Sequence, residues 1–286
     1  MSKIVITCDD ANDLGIKFWE ENNISVLPVL VQLGEKEYRG LGEVTPQMIF
    51  DFVEETGVLP KTAARNIEEF KEFFKPILEK GYEIIHIAMS SKISSTYNFA
   101  RLAAEELEGV YVIDSLSLSS GVGLQIIYCD KLIKQGLKAE EIVKRINNSR
   151  ELVQTSFVVD TLDYLYKGGR CNGVSAFVGG MLKLRPQIKM LEGSMSPGKK
   201  YRGKMEKVVK DYVRDILSEN SDYDDELLFV THSFAENSVV ESAIQEVKEL
   251  TKDRPFKNII VNTAGPTITS HCGKGTLGIL YYKNGR

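Results

Sequence analysis

Histidine and cysteine are scarce in this 286-residue chain, with three of the first and four of the second, and there is a single tryptophan. Cys8, Cys129, Cys171 and Cys272 stand far apart. With no C-x-x-C pair and no histidine at ligand spacing, the usual zinc patterns are excluded and reduced thiols are the simplest reading. An excess of positive charge is lacking too: 36 Lys plus Arg against 40 Asp plus Glu leave a net charge of -4. No global field therefore exists to hold nucleic acid or an anionic membrane. No apolar run approaches the roughly 18 to 20 residues that span a bilayer. The opening Met1, Ser2, Lys3, Ile4, Val5, Ile6 enters a strand pattern directly, unlike a signal peptide. A cytoplasmic protein without stable membrane insertion is expected. What is present is ordinary for a globular chain, 43% hydrophobic and 27% charged, and the length favours two domains over one or three.

Through the first half, β-branched runs alternate with amphipathic stretches. Residues 3–8, 26–33, 82–89 and 110–114 read as strands. Between them Ile67, Phe70, Phe73, Phe74, Ile77 and Leu78 recur at helical spacing, as do Ala100, Ala103, Ala104 and Leu107. This alternation predicts a parallel sheet with helices on both faces, so the loops beyond the carboxyl ends of the strands are where ligands are expected. Residues 24–60, rich in proline and glycine, break the rhythm as an excursion or flap. After a helical pattern at 139–146 the character changes. Hairpin signals at 192–200, with Pro197 and Gly198 as the turn, precede a helix at 204–217 and a strand at 227–231. A helix at 236–250, a strand at 257–262, a Gly- and Thr-rich loop and a last strand at 278–282 follow. The expected fold class is α/β in two domains. Residues 1–150 form a three-layer α/β/α domain on a parallel sheet, and residues 151–286 a two-layer α/β domain on a mixed or antiparallel sheet.

Three segments can carry chemistry. The run 90–96, S-S-K-I-S-S-T, follows a buried-looking strand and precedes a helix. Its hydroxyls lie beside the unpaired N–H groups of a helix start, which suits a carboxylate or phosphate; ordinary N-capping is the alternative, and one residue suffices for that. The run 160–170, D-T-L-D-Y-L-Y-K-G-G-R, reads as a short helix capped by Asp160 or Thr161 and stopped in the left-handed conformation by Gly168 and Gly169. Arg170 then projects from a sharp turn, suited to a bidentate grip on an anion or else simply exposed. The third is 263–276, where His271 is the one histidine in a glycine-rich loop. His86 alternates with Ile85 and Ile87 as a strand-face residue, and His232 follows a strand end at Thr231.

Familiar motifs fail. Residues 193–200 read G-x-x-x-x-G-K-K and lack the Ser or Thr of a P-loop. Gly121 and Gly123 are followed by Ile126 where a dinucleotide fingerprint needs Gly or Ala. There is no G-x-S-x-G elbow; Ser94, Asp114 and His271 can be assembled into a hydrolase triad, but nothing local marks a strained serine. The basic run Lys199, Lys200, Arg202, Lys204, Lys207 reads as a solvated face or a dock for an acidic partner.

Taken in order, six segments resemble the DegV family of bacterial fatty-acid-binding proteins. Asp9 to Leu14 resembles the opening D-S-x-x-D-L, Thr62 to Arg65 stands at T-S-Q-P, and Ser90 to Tyr97 at S-S-x-L-S-G-T-Y. Residues 160–170 are close to D-[TS]-L-x-Y-L-x-K-G-G-R, 184–188 resemble L-K-P-I, and His271 to Gly275 resemble H-x-G-P-G. The resemblance implies a carrier similar to that of bacterial fatty acid kinase. Such a carrier is no enzyme and needs no cofactor. It holds one long-chain fatty acid between its domains and presents the carboxylate to a separate ATP-binding kinase subunit, whose acyl phosphate feeds phospholipid synthesis. By motif position, Thr62, Ser94, Ser95 and His271 would hold the carboxylate, with Arg170 and His271 supporting phosphoryl transfer. Candidates to line the tail are Ile93, Phe177, Val178, Met181, Leu182, Leu184 and Ile188. An acyl hydrolase using Ser94 and His271, or a lipid-sensing regulator, are the alternatives. The chain departs from the pattern at Asp10, Ala63, Ala64, Ser95 and Lys274, of which Ala63 and Ala64 remove polar groups beside Thr62.

Overall fold

The computed structural model describes residues 3–171 and 184–286. The first half runs β1 (Lys3–Cys8), α1 (Ile16–Glu21), β2 (Ser25–Val26), β3 (Leu30–Leu33), β4 (Lys36–Arg39), α2 (Pro46–Thr56), β5 (Lys61–Ala63), α3 (Ile67–Glu79), β6 (Tyr82–Ala88), α4 (Thr96–Ala104), β7 (Val110–Asp114), α5 (Ser120–Lys134) and α6 (Ala139–Ser149). Strands β2-β1-β6-β7 form an all-parallel sheet. Alternation along β6 sends Ile84 to one face, against Phe70 and Phe74 of α3 and Ala100 and Ala103 of α4. It sends Ile85 and Ile87 to the other, against Trp19, Val122, Ile126, Ile142 and Ile146 of α1, α5 and α6. His86 is the strand-face residue expected: fully buried, its Nδ1 2.9 Å from the Thr7 hydroxyl, its ring edge-on between Phe70 and Phe74.

Residues 26–33, expected as one strand, divide between two sheets. Leu27 still donates to the Cys8 carbonyl, but Pro28 has no N–H to continue the ladder. Beyond it β3 joins the small antiparallel sheet β4-β3-β5, in which Val31 is opposite Thr62. The flap is therefore a sheet of its own, closed over by Ile49 of α2.

The second half runs β8 (Val153–Val158), α7 (Asp163–Gly168), β9 (Leu184–Leu191), β10 (Ser194–Arg202), α8 (Met205–Glu219), β11 (Tyr223–Ser233), α9 (Asn237–Leu250), β12 (Asn258–Thr263), α10 (Pro266–Cys272) and β13 (Thr276–Lys283). Its sheet order is β10-β9-β8-β13-β11-β12, antiparallel except for β11 and β12. Helices α8 and α9 cover one face through Val208, Val213, Val239 and Val247 against Leu228, Val230, Leu277 and Ile279. The opposite face presents Phe229, Leu280 and Tyr282 to Leu124 of α5. The molecule is thus a three-layer α/β/α unit on a parallel sheet packed against a two-layer α/β unit on a mixed sheet.

Three expectations in this half are corrected. The β9–β10 turn is Glu192–Gly193, both left-handed at φ 49° and 81°, the geometry of a two-residue type I′ hairpin. Pro197 and Gly198 instead lie at an irregularity within β10, where the register shifts. The Gly- and Thr-rich loop contains a helix, α10, begun by Pro266 at its first turn and ended by Gly273 at φ 73°. His232 lies inside β11 rather than beyond its end.

Candidate functional site

The loop that leaves β1 at its carboxyl end carries Asp9, Asp10 and Asp13, each at most 3% exposed. Asp9 accepts from the N–H of Ala11 and Met89. Asp10 accepts from the N–H of Val29 and Leu41 and from the Thr267 hydroxyl, at 3.0, 3.2 and 3.1 Å. Asp13 accepts from the Ser119 hydroxyl and from the Gly265 N–H. Burial raises all three carboxyls above their ordinary range, Asp9 and Asp13 to about 7. Among the described residues no group of acidic, His or Cys side chains is arranged to hold a metal. The single tryptophan belongs to this corner, Trp19 being 6% exposed with its indole N–H donating to Asn12 Oδ1 at 3.0 Å.

From the second half, α10 closes on the flap sheet and α7 packs against α10. In α7 the N-cap position is Leu162, without a side-chain cap, rather than the expected Asp160 or Thr161; Thr161 accepts from the Asp163 N–H, and Gly169 alone, not Gly168, stops the helix in the left-handed conformation at φ 66°. Arg170 emerges exposed, bonding back to the Gly168 carbonyl at 2.6 Å. In α10, His271 is packed so tightly on α7 that a Cβ at Gly168 would come within 2.9 Å of its Nδ1. Its Nε2 meets the Thr62 hydroxyl of β5 at 2.7 Å. Its Nδ1 is buried without a partner among the described residues. Burial, helped by the charge of Arg170, pushes the imidazole down to about 4, so it is neutral at pH 7.

The Ser-rich run forms a turn ahead of α4. Ser94 accepts from the Thr96 N–H at 3.2 Å and pairs with the Thr96 hydroxyl at 2.8 Å, so ordinary capping is part of its work. Ser95 is exposed and makes no side-chain cap. Ser90 donates to the Gly193 carbonyl at 2.7 Å, fastening the β9–β10 hairpin onto this loop.

These segments surround one cavity of about 600 Å³, within the roughly 300 to 1,000 Å³ of small-molecule sites. It brings together Thr62, Ile93, Ser94, Ser95, Arg170 and His271, residues from four separate stretches of sequence. Apolar walls come from Met89, Phe99, Leu118, Phe157, Leu165 and Leu280. Ile188 is not among its lining residues; it is fully buried in the cluster of Phe157 and Met195, which do line it. Phe177, Val178, Met181 and Leu182 lie outside the described residues. Two of these walls, Phe157 in β8 and Leu280 in β13, have a spacing that reads as plain core; the sequence signal for them is small Gly278 beside Leu280 on a face that turns toward the first half.

Comparison with known proteins fits this geometry. The family model described as an uncharacterised protein of the DegV family matches residues 3–284. A curated fatty acid-binding protein of Thermotoga maritima is 29% identical over 283 residues, 96% of this chain and 96% of that protein. A solved DegV family protein of Thermus thermophilus, described for its fatty acid binding, has a TM-score of 0.90 at 28% identity, over 98% of this chain and 99% of the other. DegV of Bacillus subtilis, described as a fatty acid binding protein, has a TM-score of 0.84 at 26% identity, over 99% and 100%. A match from one end of the described sheets to the other, joined to the same two-sheet architecture, places this chain in the DegV family.

Proposed function

We propose that the chain is a carrier that binds one long-chain fatty acid, tail in the cavity and carboxylate at Thr62, Ser94, Ser95 and His271. The observation that carries this reading is a cavity with apolar walls and a hydroxyl–imidazole cluster on one side. A buried carboxylate without partners is prohibitively costly, so the head must meet donors. A neutral His271 that donates its Nε2–H to the Thr62 oxygen leaves the Thr62 O–H free to donate to the carboxylate. At about 0.8 kcal/mol per buried CH₂, a sixteen-carbon tail contributes roughly 10 kcal/mol before ordering costs.

In this reading the chain presents the carboxylate to a separate cytoplasmic kinase subunit, and the acyl phosphate enters phospholipid synthesis. Arg170, exposed on the cavity rim, is suited to stabilise phosphoryl charge from outside. A hydrolase built on Ser94 and His271 lacks its dyad: Ser94 pairs with Thr96 and His271 with Thr62, while Asp114 accepts from Ser91 and Leu116 N–H groups.

Native mass spectrometry before and after solvent extraction tests the carrier. A fatty acid lost on extraction and regained on incubation with oleate is expected; no uptake overturns the reading. With the cognate kinase and ATP, Arg170→Ala is expected to keep oleate binding and lose acyl phosphate formation. Equal loss of both would make Arg170 an ordinary binding group.

A further inference from the structure

Thr62 and His271 are 209 residues apart and sit on different sheets' appendages, yet their side chains must meet within hydrogen-bond distance for the head-group cluster to exist. One carboxylate touches the supports of both. On the strand side, Asp10 accepts from Val29 N–H, immediately before β3, and β3 pairs with β5 so that Val31 faces Thr62. It also accepts from Leu41 N–H at the end of the β3–β4 hairpin. On the helix side, it accepts from the Thr267 hydroxyl. Thr267 and His271 are four residues apart in α10, hence on the same helical face.

We propose that Asp10 is a positioning residue for the head-group site: its carboxylate joins the flap sheet to α10 and thereby fixes Thr62 against His271. The seat made for it supports this. A Cβ on Gly40 would come within 2.1 Å of Asp10 Oδ2 and 2.8 Å of Pro28, and Gly40 holds a φ of 44°, so a glycine here keeps the space open. Asp10 is 1% exposed and takes three donors, with no ion pair among the described residues, an arrangement that only the two elements' correct placement satisfies. Shortening it to Ser or neutralising it to Asn uncouples the elements while leaving the cavity walls in place.

The proposal rests on the carrier reading for its ligand, so the test has a ligand-free arm. The chain has only three histidines, which makes imidazole ¹⁵N spectra simple to assign with a His271→Gln control. In the wild type His271 is expected to show one fixed neutral tautomer. In Asp10→Ser and Asp10→Asn its signals are expected to move toward tautomer averaging, with those of His86 unchanged. The second arm is calorimetric titration of delipidated protein with dodecanoate and with dodecanol. The acid-over-alcohol affinity ratio is expected to fall about tenfold in the Asp10 variants, whereas general destabilisation lowers both ligands together. Thr267→Val, which removes only the helix-side donor, is expected to shift both readouts the same way and serves if the Asp10 variants do not fold. Unmoved His271 signals, or an unmoved ratio in variants that bind, overturn the proposal. A wild type that takes up no dodecanoate overturns the carrier reading instead, and leaves positioning to be decided by the spectra.

Discussion

At the scale of single residues, the three histidines divide by what surrounds them. His86 is fully buried and His271 half-buried, and both are neutral, but His86 lies between phenylalanine rings whereas His271 faces a cavity hydroxyl. Because the folded pKa of His271 is depressed to about 4, its contribution to stability is present above the unfolded value near 6.5 and is lost as pH falls below it. Asp9 and Asp13, raised to about 7, act oppositely: the folded chain keeps their protons where the unfolded chain releases them, so acidification from 7 toward 4 favours the fold. Their effect cancels in a comparison of variants. The unfolding free energy of wild type minus that of His271→Gln is therefore expected to shrink by about 2 kcal/mol between pH 7 and pH 5 in urea titrations. A difference that does not change with pH would mean that His271 is not held neutral. The sequence singled out Thr62, Ser94 and His271 through short motifs. It said nothing of what Asp10 and Asp13 do, because their partners, Val29, Thr267, Ser119 and Gly265, come from distant segments that only the fold assembles.

At the scale of elements, legibility followed amphipathicity. Helices α3, α8 and α9 have one wet face and were readable to within a few residues. Helix α5 was not read at all: nine of its residues are buried, from Ser120 to Leu132, and it has no continuous polar stripe to generate a helical period. Helix α10 was read as loop because glycine, proline and threonine are weak helix formers; the surrounding packing, not propensity, holds it. Hairpin β9–β10 was recognised with its turn misplaced, since Pro197-Gly198 is the stronger local turn signal but Glu192-Gly193 has the left-handed pair that two-residue hairpins need. The same glycine fixes the hairpin to the Ser-rich loop. A Cβ there would lie 2.6 Å from Ser90 Oγ and 2.9 Å from Leu116. Gly193→Ala is accordingly expected to destabilise by about 1 to 3 kcal/mol in urea unfolding, from left-handed strain plus the displaced Ser90 contact. A change within experimental error would show that the hairpin tip is not seated on that loop.

At the scale of the whole molecule, the loops beyond the carboxyl ends of the parallel sheet and one face of the mixed sheet line a common cavity, so a ligand there contacts both halves and is held only when both are folded. Such a ligand stabilises by mass action, by about 2.7 kcal/mol at a hundredfold excess over its dissociation constant. Delipidated protein is expected to melt several degrees lower than protein resupplied with oleate, and Thr62→Val to narrow that gap; an identical Tm with and without oleate would contradict binding in the cavity. The corner where Trp19 of α1 donates to Asn12, in the aspartate loop that braces the flap and α10, adds an optical consequence. With one indole in 286 residues, emission excited selectively at tryptophan rather than at the twelve tyrosines comes from a single point and requires no dye. Its wavelength and quenching are expected to follow the state of that brace when oleate is mixed in by stopped flow, with the α1 indole as the clock.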